Sequence, residues 1–518
     1  MRYFAKYFIL ILLLLFNNIS PAVQVDTSLQ ISPYEKNYEN CRVQYCNQAI
    51  KKYIGSANLN ANIKLPRIDF CFSGGGDRAL ISCLGFLMGS QTTNLINTAI
   101  SMSALSGSTW LICMWMLSGQ DPWLYKNIIQ KKIVGVEFYD PLTLNWDIII
   151  EKLENKRKAT GHFNAADLWG SVLCARMMDN LKQQDGSMIN KQVITFNYIR
   201  RLLNTLKNYN NPCYPFPILT SSITCLKPYQ WLEINPFYTG GDTIGGYIPT
   251  ENFGGCFNYG WSQNCCVNEE SIATFMGICG SAYSISFWDI LKNIAEILIT
   301  KCQEKKFTEL KKLIQDFLNW YSNNLNPKNP ERLLSSNYFN YTYNMPFVPL
   351  SNKTNLELAD AGMIFNLPFP PLLKRKSDII IVCDASSECP NQNYSELHYA
   401  RTYATTYNFK FPCLDNPIIL DDYTAIFESD DPETPTIIYF QNPIKESTFK
   451  FNYTQQEFDA VCYNMSSLVI NHKVDIANAI IRKINKINGF KQKQSLKTKI
   501  KNKLQNLFCS CPTIDFLY

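Results

Sequence analysis

Long apolar runs are almost missing from this 518-residue chain. The one clear block, Tyr7–Phe16, is ten residues long, about half of what a membrane-spanning helix needs. No later segment comes closer, which argues against an integral membrane protein. Histidine is scarce as well: His162, His398 and His472 are the whole set, and none lies in a conspicuous catalytic motif. No CxxC pair occurs, so a zinc site is a poor expectation and no metal is assigned. Neither a GK[ST] phosphate loop nor a GxGxxG fingerprint is present, which removes the commonest nucleotide-binding signatures. No repeat of a few tens of residues and no Gly/Ser- or Pro-rich linker divides the body. With 46% hydrophobic and 18% charged residues, the chain carries enough apolar mass for a large core and is not of the disordered class.

What is present starts at the N-terminus. Arg2 and Lys6 precede the apolar block and Ser20-Pro21-Ala22 follows it. That is the order of a secretory signal peptide, with an uncleaved anchor as the alternative, so residues 1–22 are expected to be removed and the protein to be secreted or to enter the secretory lumen, extracellular or lysosome-like. The formal charge of +6 is a local property. Arg482–Lys503 holds nine basic residues and no acid, and the remaining mature body is net negative, so the main domain shows no charge pattern for nucleic acid. Residues 482–518 are therefore set apart as a basic tail. Ile484, Ile487, Leu496, Ile500, Leu504 and Leu507 recur among the cations, as in a helix that lies on an anionic membrane surface. The 19 cysteines predict several disulfides in an oxidising compartment, with at least one thiol left over; the sequence leaves their connectivity open, although Cys41 with Cys46 and Cys509 with Cys511 are local pairs. Sequons at Asn340, Asn352, Asn393, Asn452 and Asn464 mark surface loops if the host glycosylates them.

Along the body, residues 23–66 read as a polar extension wrapping the core. Arg67–Phe72 reads as a short strand, Ser73-Gly74-Gly75-Gly76 breaks it, and Asp77–Gly89 resumes at helical spacing. A second unit repeats the grammar: Asn97–Ala104 as a buried strand, Leu105–Ser108 as a sharp turn, Thr109–Leu117 as an apolar helix. Asp378–Cys383 is a third buried strand of the unbroken apolar kind that parallel sheets produce. Strands alternating with helices predict an α/β domain around a largely parallel sheet. Between Phe287 and Leu325, apolar residues at spacings of three and four (Ile290, Ile294, Ile297, then Leu310, Leu313, Ile314) predict two amphipathic helices. They either pack on the sheet or cover an apolar cleft; the latter reading makes 286–350 an inserted cap within a catalytic domain spanning 23–481.

Three glycines between a strand and a helix can aim consecutive N–H groups at one point, where the helix dipole favours an oxyanion or phosphate. Arg78, one turn in, is placed to clamp a phosphate, or else to pair with Asp69 or Asp77. Ser106 sits on a strand-to-helix turn that exposes a hydroxyl, with the Gly107 N–H behind it, although Ala104 and Ser108 stand where G-x-S-x-G has glycines. Asp360, in a turn before the third strand, is an ordinary turn aspartate when read alone.

Taken together, Ser73–Ala79, Leu105–Trp110 (LSGSTW), Phe275–Ser284 (FMGICGSAYS) and Asp360–Pro370 (DAGMIFNLPFP) resemble, in order, the catalytic motifs of cytosolic phospholipase A2 and the fungal phospholipase B/lysophospholipases. The resemblance runs from about residue 40 to 475. It implies a patatin-related α/β acyl hydrolase with an inserted helical cap and a Ser–Asp dyad in place of a histidine triad. In that scheme Ser106 is the nucleophile, Asp360 its base, Gly75 and Gly76 the oxyanion donors, and Arg78 the ligand of the substrate phosphate; the turn itself offers the Gly107 N–H as a further donor. Asp77 departs from the family, where an aromatic is usual. Arg375 is an uncommitted candidate for a further functional arginine. Residues 23–66 are too few for a calcium-binding C2 domain, so calcium independence is expected, with no cofactor. The expected reaction is cleavage of fatty-acyl esters of lysophospholipids and glycerophospholipids at a membrane or micelle surface. Acyl transfer through the same acyl-serine is one alternative, and a lipid-binding protein without catalysis is the other.

Overall fold

A computed structural model of the chain describes residues 22–489 apart from 56–62, 137–143, 161–163, 178–193, 209–213, 264–268, 282–287, 304, 325–335, 387–393, 445 and 449. The expected signal segment up to residue 21, His162, Asn393, Cys509, Cys511 and the tail beyond 489 lie outside the described residues.

The strands are β1 (Ile68–Phe72), β2 (Ala99–Ala104), β3 (Phe216–Ile223), β4 (Gln230–Ile234), β5 (Tyr238–Gly241), β6 (Gly246–Pro249), β7 (Phe257–Asn258), β8 (Trp261–Ser262), β9 (Ser336–Phe339), β10 (Asn355–Asp360), β11 (Ile379–Asp384), β12 (Ile418–Ile419), β13 (Thr424–Phe427) and β14 (Thr436–Gln441). Twelve form one sheet, and β7 with β8 makes a separate hairpin. At the centre β14–β11–β1–β2–β3 run parallel. Antiparallel strands extend both sides, β13 and β12 beyond β14, and β4, β5 and β6 beyond β3. The central strands are buried along their whole length, which is why their sequences run apolar without alternation. The expected α/β class and its three buried strands are thus present.

Helices cover the sheet. Ser32 caps the helix Pro33–Tyr53 by accepting the Glu35 N–H at 3.1 Å, and Arg42 on this helix donates to the carbonyl of Ala99 at the foot of β2. The N-terminal segment therefore wraps the core, as its position in the chain suggested. The two amphipathic helices form as Trp288–Lys301 and Thr308–Asn324, burying Ile294, Leu298, Leu310 and Ile314. The interval 286–350 is not wholly a helical insertion, because Ser336–Phe339 returns to the main sheet as β9 and pairs with β10. The tail boundary shifts too. A helix runs over 473–489, and the first cations of the basic run are docked on the body. Lys483 is buried, donating to the carbonyls of Pro432 and Thr434, while Arg482 and Lys486 pair with Glu428.

Two local expectations are corrected, the pairing of Cys41 with Cys46 and a surface place for every sequon. The 13 described cysteines are free thiols, nine of them buried, and they fill the core as small apolar groups. Cys41 and Cys46 share one helix five residues apart, a spacing that turns their side chains away from each other. Of the sequons, Asn340 is fully buried and its amide donates to the carbonyls of Leu350 and Lys353, so no glycan fits on it in the folded protein. Asn352, Asn452 and Asn464 are exposed, the last on the helix Gln455–Asn471.

Candidate active site

Strand β2 delivers Ser106. The chain leaves Ala104, turns through Leu105 and enters the helix Gly107–Ser118 with Ser106 at φ 50°, ψ −124°. A positive φ in a residue with a side chain costs on the order of 1–3 kcal/mol and persists only where the surroundings impose it. A strained strand-to-helix turn is the setting a nucleophile elbow uses. Ser106 caps the helix without using its hydroxyl, which leaves Oγ for other work. Ala104 and Ser108 take the places of the elbow glycines. The Ala104 carbonyl accepts from Thr220, and Ser108 Oγ donates to the Ser73 carbonyl at 2.7 Å.

That last bond ties the elbow to the glycine loop. Ser73 and Gly74 spend their N–H groups on the carbonyls of Cys383 and Asn366. Gly75 (φ 134°) and Gly76 (φ 61°) then adopt conformations that side chains resist. They open the helix Gly76–Thr93, where the first N–H groups have no partner within the helix. Gly107 opens its own helix in the same way. It lies so close to this loop that a Cβ placed on it would stand 2.0 Å from the Gly76 carbonyl oxygen. The Gly75, Gly76 and Gly107 N–H groups therefore belong to adjoining helix ends.

Asp360 reaches the same place by an unusual pairing. The β3 edge that binds β2 over Phe216–Leu219 goes on to bind β10 over Ser221–Ile223. Ala104 lies opposite Leu219 and Asp360 opposite Ser221, so the end of β10 meets the residues just past the end of β2. Asp360 is 1% exposed and Ser106 3%. The Asp360 N–H donates to Ser281 Oγ (3.0 Å), and its Oδ1 accepts from the Gly362 N–H (2.9 Å). A Cβ built on Gly74 would lie 2.9 Å from Ser106 Cβ and 2.5 Å from Asn366 Oδ1, and one on Gly362 would lie 3.5 Å from the same Asn366 oxygen.

The four motifs thus close into a ring. Ser108 holds the first to the second. Trp110 Nε1 donates to the Met276 carbonyl (3.0 Å) and holds the second to the third. Ser281 holds the third to the fourth. Asn366 Nδ2 donates to the Gly74 carbonyl (3.1 Å) and returns to the first. Residues 282–284 of the third motif lie outside the described residues.

Asn366 lies inside a quoted motif, but its bracing role had no signal in the sequence, because its partner is 292 residues away. Arg78 is buried beneath Gly75, donating to the carbonyls of Ala385 (2.6 Å) and Glu446 and to Thr448 Oγ1 (2.9 Å). Neither acid considered for it stands alone: Asp69 pairs with Arg67 at 2.6 Å, and Asp77 faces Arg176 at 3.4 Å. Burial pushes the Asp77 carboxyl up to about 6, against the pull of Arg176. Arg375 is buried between Glu35 and Glu233 and braces the N-terminal helix. Of the two described histidines, His472 bonds Asp421 and Asp475, and His398 is exposed. Neither pairing involves Ser106 or Asp360.

Residues 68–425 match the family described as the lysophospholipase catalytic domain. Lysophospholipase 1 of Candida albicans is 23% identical, with 91% of this chain aligned to 85% of that protein. Human cytosolic phospholipase A2 zeta is also 23% identical, over 81% of this chain and 53% of its own length. The chain thus spans most of the fungal relative and about half of the cytosolic one. Human GIVD cytosolic phospholipase A2 superposes with a TM-score of 0.68 at 17% identity, covering 90% of this chain and 69% of that one. A second structure of it, in complex with methyl gamma-linolenyl fluorophosphonate, gives 0.65.

Proposed function

Because this chain belongs to the lysophospholipase catalytic-domain family, we propose that it cleaves fatty-acyl esters of lysophospholipids and glycerophospholipids through an acyl-serine at Ser106. Asp360 takes the Ser106 proton as Oγ attacks the ester carbonyl. The oxyanion accepts from the N–H groups of Gly75 and Gly76, with Gly107 as the third donor. Collapse expels the alcohol, which carries away the proton held by Asp360. Water then attacks the acyl-serine, giving its proton to Asp360, and the fatty acid leaves as Ser106 recovers a proton. The observation that supports this reading is the ring of contacts linking the motifs that carry Ser106, Asp360 and the glycine loop. The scheme needs no calcium and no cofactor, and chelation by EGTA should leave turnover unchanged.

The remaining roles belong to the same proposal. Arg78 binds the substrate phosphate by exchanging Glu446 and Thr448 for phosphate oxygens, so Arg78→Lys should penalise phosphate-bearing esters more than neutral ones. Equal losses on both would leave it a brace. The protein acts in the secretory lumen or outside the cell after cleavage near Ala22, at the surface of membranes or micelles; N-terminal sequencing of the mature protein tests the cleavage. Product analysis with diacyl and monoacyl phosphatidylcholine of distinguishable chains tests the reaction itself. Free fatty acid from either substrate supports it. Acyl groups recovered only on an added alcohol would make it a transacylase, and no product would leave a lipid-binding protein.

A further inference from the structure

A second pocket opens on the far side of β3 from β10. It is a cavity of about 210 Å³. Trp231, Tyr247, Tyr403, Tyr407 and Phe409 line it, together with the carboxylates of Glu233 and Asp242. Trp231 and Glu233 are two residues apart on β4 and so share one face. Tyr403 and Tyr407 stand one helical turn apart, with ring centroids 4.5 Å from each other.

One cation already uses these walls. The Lys374 ammonium lies 4.3 Å from the centre of the Tyr247 ring and pairs with Asp242. Aromatic faces beside carboxylates attract organic cations for the same electrostatic reason. Two polar atoms of the lining, Trp231 Nε1 and Thr243 Oγ1, are buried without a hydrogen-bond partner among the described residues. Trp231 is 7% exposed. An indole N–H can only donate, and a buried donor left unpaired is costly, so the site calls for an acceptor as well as a cation.

From this the geometry points to a binding site for a zwitterion of the phosphocholine type, an organic cation joined to an oxyanion. The oxyanion takes the donors of Trp231, Thr243 and Lys374. Asp242, released from Lys374, turns to the cation held against the tyrosine rings. The exchange conserves charge: one ion pair opens and two form with the ligand. Glu233 stays with Arg375, 2.9 Å away.

The site adjoins the catalytic strands. Ala359, next to Asp360, lies opposite Ser222, and Ser222 lies opposite Trp231. Two strand spacings are about 10 Å. The Trp231 ring packs against Phe365, 4.9 Å between centroids, on the loop that follows Asp360. A lipid head group and a free soluble zwitterion share the required chemistry. The first source rests on the acyl-hydrolase reading above; the second does not.

Glycerophosphocholine carries no acyl ester, so calorimetric titration into the wild-type protein reads the pocket apart from hydrolysis. The expected result is saturable one-to-one binding about tenfold tighter than choline or inorganic phosphate alone. Trp231→Phe keeps an aromatic face, smaller than the indole, and drops the N–H, and should weaken binding about fivefold. Tyr407→Leu, at a 37% exposed position, should weaken it about as much. Unchanged thermal unfolding of either variant excludes loss of the fold as the cause. Competitive inhibition of lysophosphatidylcholine hydrolysis by glycerophosphocholine would identify the substrate's head group as the ligand. Non-competitive behaviour would identify a soluble zwitterion. Binding with no turnover at all would remove the hydrolase reading and keep the pocket. No saturable binding, or binding that both folded variants leave unmoved, overturns the assignment.

Discussion

Gly107→Ala probes the junction on which the site depends. Gly107 is absent from the positive-φ positions, so alanine is allowed by the backbone and the test is purely steric. The added methyl would stand 2.0 Å from the Gly76 oxygen and 2.7 Å from its carbonyl carbon, where ordinary contact begins at 3.4 Å. Both neighbours are backbone, so the elbow and the glycine loop must part by roughly 1.4 Å. Overpacking of this kind costs about 1–3 kcal/mol, a fall of a few degrees in Tm. The effect on chemistry should be larger. A displacement of about 1 Å between reacting groups lowers rates on the order of 100-fold, and the loop that moves carries the proposed oxyanion donors. The assay is kcat/KM on a short-chain ester together with Tm. Gly489→Ala, where nothing lies within 4 Å of the new methyl, is the control and should change neither. Full activity in Gly107→Ala, with Tm unchanged, would refute the claim that these two helix ends meet at the reacting centre.

Asn366→Ala removes the donors to Gly74 and to Ser386, so kcat should fall about tenfold with KM little changed; a KM effect alone would make Asn366 a substrate contact. Truncation after Gly489 should keep Tm while weakening binding to anionic vesicles, by about 1 kcal/mol per cation near the surface. Truncation before Arg482 should lower Tm because it strips Lys483, Ile484 and Ile487 from their buried positions, and equal Tm for both would contradict the docked helix. Asp77 holds its proton more tightly folded than unfolded, about 6 against 3.8. Stability therefore falls as pH rises across that window, by up to about 3 kcal/mol. Asp77→Asn should lack this decline in denaturant titrations between pH 4 and 6.5, and parallel curves would sink the assignment.

The chemistry of the site was legible from local sequence to a degree set by distance along the chain. β1, β2 and β11 announced themselves as apolar runs because each is buried on both faces, and the turns after β1 and β2 did so through Ser73–Gly76 and Leu105–Ser108. Asp360 became legible only through its resemblance to a family, since its meeting with Ser106 depends on β3 changing partners midway along one edge. Arg78 looked free to bind a ligand because its acceptors, Ala385 and Glu446, lie more than 300 residues away. Arg375 gave no sign of Glu35, 340 residues distant. Cysteine is hard to read for another reason. The count speaks of compartment, whereas the packing of Cys71 and Cys383 in the central strands and of Cys83 on the helix Gly76–Thr93 answers only to size and polarity. Tertiary pairing across such separations has no periodicity to read.

The central claim is that Ser106 is the nucleophile and Asp360 its base. A lipid fluorophosphonate, the chemistry carried by the inhibitor bound to the human structure, tests it by intact mass and peptide mapping. The expected result is one adduct per chain, on Ser106, lost in Ser106→Ala and slowed on the order of 1,000-fold in Asp360→Asn, with His398→Ala and His472→Ala labelled as fast as wild type. An adduct on another residue, or undiminished labelling of folded Asp360→Asn, would contradict the dyad.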